Sequence, residues 1–369
     1  MKKIVFGITS LGVGGAERVL LDIVNELDEK YDITLFTLYS GGAFEKELSE
    51  KIKLISLNKS TYEDLSAIKK RLIPLYILIC GKSIYKKYIK DKYDVEISFL
   101  EGPITRLFRH KSNAKKIAWI HTDISKIFGR GIKAKIKKKV DKGIYKKYDK
   151  IVFVSKDSKE KFNDLYETEE FLKNEEIIYN YINKERILKK ASEDTEKIDI
   201  EENKTSIVTV ARLVKPKAID RFIKVHKKLI EEGFIHNVYI IGDGPEKYNL
   251  EKQIKDLNVE DTFKLLGQKE NPYPYIKMTD YFALLSEYEG YGMVIEESKI
   301  LNKNIIITNT GAKEAIEGYD KSIIVENNEE AIYEGLKQIL SNNIVFNNKE
   351  NVYDNSNLLE EVKRIIEVE

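Results

Sequence analysis

The sequence has few of the residues that cross-link a fold or interrupt its helices and strands. Its 369 residues include one cysteine, four histidines and six prolines. The single cysteine, Cys80, cannot form an internal disulfide, which excludes a disulfide-stapled secreted fold and favours a reducing compartment. One cysteine and four histidines also leave few ligands for a structural zinc site.

The sequence also lacks an apolar run long enough to span a membrane. The longest run, Leu72–Cys80, contains Pro74 and is far shorter than the about 20 residues that a span needs. The N-terminus starts with charges, as a signal peptide does, but Gly7 and Thr9 interrupt its apolar stretch, which favours a buried β-strand. We therefore expect a soluble, cytoplasmic protein.

Length and composition indicate a folded protein of about two domains. A chain of 369 residues is two to three times the usual domain length of about 150 residues. Apolar residues make up 42 % and charged residues 34 %, a composition too apolar for a disordered chain.

A formal net charge of +2 hides an uneven distribution of charge along the chain. Residues 51–150 carry 27 Lys and Arg against 9 Asp and Glu, a net charge of +18. Residues 201–369 carry 22 against 30, a net charge of −8. So dense a basic segment favours an anionic partner. The segment contains no RNA- or DNA-binding motif, so nucleic acid is not expected to be that partner.

The densest basic stretch, residues 131–150, has the pattern of an amphipathic helix. Ile132, Ile136, Val140 and Ile144 recur every four residues among eight lysines up to Lys147. A basic amphipathic helix is typical of a membrane surface, so we expect reversible contact with an anionic membrane, at the inner face of the cell membrane. The alternative is a lysine-rich face that only contacts water.

Short β-branched runs alternate with amphipathic stretches in two successive series. The first comprises residues 4–8, 33–38, 95–99, 117–120 and 151–154, and the second comprises 206–210, 237–241, 262–266, 281–285, 304–308 and 322–325. This alternation predicts an α/β protein with two Rossmann-like, doubly wound domains facing across a cleft, and with ligands at the carboxyl ends of the strands. We place the domains at residues 1–185 and 205–350, expect a C-terminal helix at about 355–369 to pack back on the first domain, and place the hinge near the polar segment 192–204.

A glycine-rich loop, Gly12–Arg18, follows the first predicted strand and opens a helix. Gly14 and Gly15 would let the backbone approach a ligand, and the helix N-terminus favours anionic oxygens. The loop departs from G-x-G-x-x-G, and the second strand ends without an acidic residue for a ribose, so an NAD enzyme is disfavoured. A purely structural turn is the alternative for this loop.

The loops of the second series carry several charged side chains that could bind a ligand. Glu289 lies in the turn after a predicted strand, and Glu297 lies on the helix that follows. Arg212 and Lys217 follow an earlier strand and would neutralise a diphosphate leaving group. Backbone amides of the turn and the helix N-terminus would face a phosphate, at Gly290, Tyr291, Gly292, Met293 and Val294. We expect Gln268 to contact a base nearby, and Tyr273 and Tyr275 to pack a turn.

With these motifs the chain resembles the retaining glycosyltransferases of family 4, which have the GT-B fold. The resemblance covers nearly the whole length, through Gly14–Arg18, Trp119–Asp123, Arg212–Lys217 and Gly242–Pro245. Its most specific part is the E-x7-E motif formed by Glu289 and Glu297. The chain departs from the family pattern at Ala218, where a glycine is usual, and at Ser298-Lys299, where Ala-Met is usual.

The resemblance implies a role for each matching residue. Arg212 and Lys217 would bind the donor diphosphate and stabilise its departure. Glu297 would bind the ribose hydroxyls, and Glu289 the hydroxyls of the donor sugar. His121 would reach the sugar from the first domain, whose loop at Gly14 and Gly15 would approach the diphosphate.

The resemblance further implies transfer from a nucleotide-diphosphate sugar, with UDP expected, to a glycan or lipid-linked acceptor in cell-envelope polysaccharide assembly. Front-face attack would need neither a metal nor another cofactor, because arginine and lysine would replace the metal. Two alternatives remain open. They are a nucleotide-sugar epimerase of the GT-B fold and a non-catalytic sugar-binding partner of another transferase.

Overall fold

The structure, a computed structural model, describes residues 1–61, 64–90, 92–122, 124, 131–167, 171–194, 203–344, 346 and 355–368. The chain forms two compact units. The first comprises Met1–Ile182 and Asn355–Glu369, and the second comprises Asn183–Asp354. Among the described residues, no helix has both the length and the apolar character that crossing a membrane requires.

The first unit is built on a parallel sheet of seven strands. Its strands are β1 (Lys3–Ile8), β2 (Asp32–Tyr39), β3 (Lys53–Asn58), β4 (Val95–Ser98), β5 (Lys115–Ile120), β6 (Lys150–Phe153) and β7 (Glu175–Ile177). They lie in the order β3-β2-β1-β4-β5-β6-β7, so β1 and β4 flank the point where the strand order reverses. The five strands predicted in this region are present. The two edge strands β3 and β7 had not been predicted, because β3 is only half-buried and β7 has three residues.

Within the described residues, six helices accompany this sheet. They are α1 (Gly15–Leu27), α2 (Ala67–Tyr88), α3 (Pro103–Phe108), α4 (Ile132–Tyr145), α5 (Lys156–Tyr166) and, at the C-terminus, α12 (Ser356–Glu367). Apolar side chains of α2, α3, α4 and α5 join one buried cluster with those of the strands. Helix α12 lies on the same unit, where Lys2 and Lys115 donate hydrogen bonds to the carbonyls of Ile366 and Ile365 at 3.1 and 2.8 Å.

The second unit is built on a parallel sheet of six strands. They are β8 (Thr205–Val210), β9 (His236–Ile241), β10 (Phe263–Gly267), β11 (Tyr281–Leu284), β12 (Asn304–Thr308) and β13 (Ser322–Val325). Their order is β10-β9-β8-β11-β12-β13, so β8 and β11 are neighbours at the switch point. In such sheets ligands bind outside the carboxyl ends of the strands at that point. The predicted α/β class with two parallel-sheet domains is confirmed.

In the part of the second unit that the structure describes, six helices accompany the sheet. They are α6 (Lys184–Lys190), α7 (Ile219–Glu231), α8 (Lys247–Asp256), α9 (Tyr273–Met278), α10 (Met293–Ile300) and α11 (Glu329–Leu340). Helix α6 packs on α9 and α10, so the second unit begins at Asn183, earlier than the polar segment predicted near the hinge. Of that segment, residues 195–202 lie outside the described residues.

Candidate active site

Two loops at the switch point of the second sheet are joined by hydrogen bonds. One follows β8 and includes a short helical turn, Lys215–Lys217, and the other follows β11. The backbone N–H groups of Glu287 and Tyr288 donate to the carbonyl of Pro216 at 2.9 and 3.4 Å. The loop predicted to carry the cations and the loop predicted to carry Glu289 are therefore in direct contact.

Lys217 and Glu289 form an ion pair between these two loops. Their side chains are 22 % and 16 % exposed, so the pair is sheltered but still open to a ligand. Arg212 is exposed, and its side chain has no ion pair or hydrogen bond among the described residues. The structure thus places two of the predicted groups in contact and leaves the Arg212 guanidinium available.

Two glycines allow the β8 loop to lie against the loop that follows β9. A Cβ atom on Gly242 would lie 1.9 Å from the carbonyl oxygen of Ala211, and one on Gly244 would lie 2.4 Å from that of Leu213. The Leu213 N–H donates to the carbonyl of Asp243 at 3.0 Å, so the close approach is also hydrogen-bonded. Any side chain at Gly242 or Gly244 would displace the backbone beside Arg212.

An arginine from outside the predicted motifs holds the β11 loop. Arg221 on α7 donates to the carbonyl of Leu285 at 2.8 Å and to the side-chain oxygen of Asn327 at 2.9 Å. Asn327 in turn donates to the carbonyl of Glu287 at 2.8 Å. The sequence alone does not indicate this role, because the three elements meet only in the fold.

Helix α10 begins immediately after the predicted phosphate-binding turn. Gly292 precedes it with a φ of +77°, a left-handed conformation that favours glycine. The first N–H groups of the helix, including those of Met293 and Val294, have no acceptor within the helix. The Tyr291 hydroxyl donates to the buried Glu296 at 2.6 Å, so the Tyr291 side chain packs inside the unit.

A buried tyrosine positions Glu297, the second glutamate of the E-x7-E motif. The Tyr273 hydroxyl donates to Oε1 of Glu297 at 3.1 Å and accepts from Nη1 of Arg186 at 3.3 Å. Burial raises the pKa of Tyr273, so the phenol keeps its proton and remains a donor. The sequence had predicted only that Tyr273 packs a turn, and the structure adds this bond to a predicted ribose-binding group.

Gln268 is the residue that the sequence predicts to contact a base. It follows β10, which lies two strands away from β8 at the same edge of the sheet. Its side chain is exposed and makes no hydrogen bond among the described residues. Among the described residues, no hydrogen bond joins the Gln268 side chain to the two loops.

In the first unit, the glycine-rich loop follows β1 and leads into α1 as predicted. A Cβ atom on Gly14 would lie 2.2 Å from Oε2 of Glu17, whose side chain folds back over the loop. Arg18 is held internally, because it makes two hydrogen bonds to Glu47 at 2.7 and 2.8 Å and stacks on Phe44. Gly15 opens the helix, so its N–H is one of the unpaired amides at the helix N-terminus.

His121 lies at the carboxyl end of β5, with its ring 4.7 Å from that of Phe99. Its backbone N–H donates at 3.2 Å to Glu101, which also accepts the hydroxyl of Thr122. Burial lowers the pKa of His121 to about 3, so the ring is neutral at pH 7. Its Nε2 is buried without a partner among the described residues. Asp123 of the same motif lies outside them.

Within the ranges described, no group of three or more His, Cys, Asp or Glu side chains is arranged to hold a metal ion. The charged groups gathered at the switch point of the second sheet are instead an ammonium, a guanidinium and carboxylates. These groups suit an anionic ligand that carries hydroxyls.

Family models match the two halves of the chain. The model described as Glycosyltransferase Family 4 matches residues 13–186, and that described as Glycosyl transferases group 1 matches residues 190–357. A Campylobacter jejuni N-acetylgalactosamine-N,N'-diacetylbacillosaminyl-diphospho-undecaprenol 4-alpha-N-acetylgalactosaminyltransferase is 29 % identical, over 92 % of this chain and 90 % of that protein. A second C. jejuni protein, a lipid-linked-glycan alpha-1,4-N-acetyl-D-galactosaminyltransferase, is 25 % identical over 92 % and 89 % of the two chains.

Solved structures share the fold over nearly the whole chain. HepE of Anabaena, in complex with UDP and glucose, has a TM-score of 0.73 with 15 % identity, covering 99 % of both chains. TarM of S. aureus, in a complex that contains UDP, has a TM-score of 0.70 with 15 % identity, covering 100 % of both chains.

Proposed function

The chain is a glycosyltransferase that belongs to family 4 and has the GT-B fold, and we propose that it transfers a sugar from a UDP-sugar to a glycan or lipid-linked acceptor with retention of configuration. The observation that carries the proposal is the pairing of Lys217 with Glu289 at the switch point of the second sheet, with Arg212 in the same loop as Lys217. The UDP in the HepE and TarM complexes and the undecaprenol-linked acceptor named for the C. jejuni relative support the choice of donor and acceptor.

The donor diphosphate lies against Arg212 and Lys217 in this proposal. Its oxygens attract the Lys217 ammonium away from Glu289, which frees that carboxylate to accept hydrogen bonds from the hydroxyls of the sugar. Glu297, held by Tyr273, accepts from the ribose hydroxyls. In this arrangement the charge that develops on the leaving diphosphate is stabilised by the two cationic side chains.

Transfer proceeds on the front face of the sugar. The bond from C1 to the diphosphate oxygen breaks as the bond from C1 to the acceptor oxygen forms on the same side. The acceptor proton passes to the departing phosphate oxygen. The neutral ring of His121 is suited to hydrogen-bonding a substrate hydroxyl and supplies no counter-charge. Two cationic side chains take the electrostatic role of a metal, so we expect EDTA to leave the rate unchanged.

A donor and acceptor panel tests the function. UDP-, GDP- and ADP-sugars are incubated with and without lipid-linked acceptors, and free nucleotide and products are measured by mass spectrometry. Release of UDP that depends on acceptor supports the proposal. Isomerisation of the sugar without acceptor would indicate an epimerase, and binding without turnover would indicate a non-catalytic partner. A rate lost in EDTA and restored by Mg²⁺ or Mn²⁺ would contradict metal independence.

We also propose reversible contact of the first unit with an anionic membrane at the inner face of the cell membrane. The segment of net charge +18, residues 51–150, lies entirely in this unit. On α4, Lys135 and Lys139 are exposed, whereas Lys138 pairs with Glu167 and Lys142 bonds to the carbonyl of Tyr166. Each basic residue near such a surface contributes about 1 kcal/mol, and salt weakens the effect within a Debye length.

Co-sedimentation with vesicles tests this contact. We expect binding to anionic vesicles at low salt and release at high salt, and weaker binding after Lys135→Glu with Lys139→Glu. Lys252→Glu with Lys255→Glu, two exposed sites on the second unit, is the matched control. A wild type that ignores anionic vesicles would contradict the contact and point to a soluble acceptor.

A further inference from the structure

Helix α2 has an apolar outer face that nothing in the described chain covers. Ile77 and Ile84 face the core and are 1 % and 5 % exposed. On the opposite side, Leu72, Leu75 and Ile79 are 51 %, 49 % and 72 % exposed, and their spacing of three and four residues places them in one row. A helix that is apolar on both sides needs a second apolar environment.

A groove joins α2 to apolar residues of α4. Its lining includes Leu78 of α2, Val140 and Ile144 of α4, and the segment Arg109–Lys116 that follows α3, and its volume is about 1210 Å³. Ile136 and Val140 are 60 % and 55 % exposed. Of the stripe predicted from the sequence, Ile144 is buried while these two remain outside the core. The α2–α4 face is defined here as Leu72, Leu75, Ile79, Ile136 and Val140 with this groove.

The charge of the α2–α4 face is almost entirely positive. Helix α2 contains no acidic residue, and α4 contains only Asp141, which lies 3.6 Å from the Arg106 guanidinium and accepts the Tyr166 hydroxyl at 2.9 Å. Among the described residues that line the groove, Asp149 is the one carboxylate, and it accepts the backbone N–H of Lys116 at 2.7 Å. Four groove cations have no ion pair within the described ranges, namely Arg109, Lys111, Lys139 and Lys147.

We propose that the α2–α4 face inserts into the interfacial layer of an anionic bilayer, with its five apolar side chains among the acyl chains and its cations at the lipid phosphates. Apolar side chains flanked by lysines are the pattern of interfacial helices. A second copy of the chain that docks through the same face is disfavoured as the occupant, because its α2–α4 face would bring the same positive charge. The inference rests on the proposed membrane contact and adds an apolar component that salt does not screen.

A tryptophan placed on the face reports insertion. Ile79→Trp is compared with Tyr248→Trp, which replaces a side chain 76 % exposed on the second unit, and both retain the buried Trp119. With phosphatidylglycerol vesicles, emission of the first variant should shift to the blue and be quenched by brominated acyl chains, while the second stays unchanged. If Ile79→Trp binds the vesicles, as shown by co-sedimentation, but its tryptophan emission stays as in water, insertion is overturned. A blue shift without vesicles that grows with protein concentration would overturn it too, in favour of self-association.

Removal of the apolar side chains separates insertion from charge and from catalysis. At high salt, Leu75→Ser with Ile79→Ser should weaken the remaining partition into anionic vesicles about tenfold or more. Ile235→Ser with Tyr248→Ser, equally exposed on the second unit, should not. UDP affinity should be unchanged in both variants. Unchanged partition of the Leu75→Ser, Ile79→Ser variant would overturn insertion and would not affect the proposed sugar transfer. A wild type that does not bind UDP would overturn the proposed sugar transfer, and the vesicle assays would still decide insertion.

Discussion

Replacing Lys217 with alanine removes one charge from the proposed diphosphate site and leaves Glu289 without its ion-pair partner. The pair is partly exposed, so its loss should cost the fold only about 0–1 kcal/mol. In the transition state, the missing ammonium would have met charge developing on the leaving diphosphate in a sheltered site. That interaction contributes roughly 2–4 kcal/mol, so kcat at saturating donor should fall about 10²–10³-fold.

The matched control is Lys215→Ala in the same helical turn. Lys215 is exposed, and its side chain has no hydrogen bond or ion pair in the part of the chain that the structure describes. Steady-state kinetics at saturating donor and acceptor, with thermal unfolding as a check on folding, compares the two variants. Near-normal turnover of Lys217→Ala, or an equal loss in both variants, would refute the assignment of Lys217 to the leaving group.

Three further predictions follow from hydrogen bonds and buried histidines. Tyr273→Phe removes the bond to Glu297, worth about 1 kcal/mol, so the donor KM should rise about fivefold with kcat little changed, measured by initial rates. The neutral His121 should give kcat/KM no inflection from its own titration between pH 5 and 8, checked by comparing the pH profiles of wild type and His121→Gln. Burial lowers the pKa values of His226 and His236 to about 2 and about 4, so below about pH 6.5 the unfolded chain binds more protons than the folded chain. The free energy of unfolding should therefore fall by about 1.4 kcal/mol per pH unit for each histidine, from about pH 6.5 down to about pH 4. Denaturant unfolding at several pH values measures this fall.

Each of these predictions has a contrary result. A fall in kcat alone in Tyr273→Phe would place the tyrosine in the chemical step and not in ribose binding. An acidic limb near pH 6.5 that disappears in His121→Gln would mean that the ring titrates normally. Equal unfolding free energies at pH 7.5 and pH 5 would contradict neutral burial of the histidine pair, in which His226 Nδ1 lies 2.9 Å from His236 Nε2.

Local patterns were enough to predict the sheets and the loops that carry the site. Buried parallel strands are β-branched runs, and Arg212 and Glu289 lie in the loops that follow two such runs. Strands β3 and β7 were not predictable in this way, since one is half-buried and the other very short. The regular spacing of Ile136 and Val140 predicted a helix but could not show that both side chains lie outside the core.

Contacts between residues far apart in the chain were not predictable from local patterns. Tyr273 reaches Glu297 across 24 residues, and Arg221 reaches Asn327 across 106. Glu101 and His121 lie in the segments that follow β4 and β5, two neighbouring strands of the first sheet. In each case the partner depends on how the strands are ordered in the sheet. The sequence of a single strand or helix does not contain that information.

The anomeric configuration of the product tests the central claim most directly. The wild type is given a UDP-α-sugar and a lipid-linked acceptor, and proton NMR of the first product formed reports the coupling constant at C1. The account predicts an α-linked product that appears together with UDP and does so equally in EDTA. A β-linked product would contradict front-face transfer at Arg212, Lys217 and Glu289, and no glycoside with any nucleotide sugar would contradict the transferase itself.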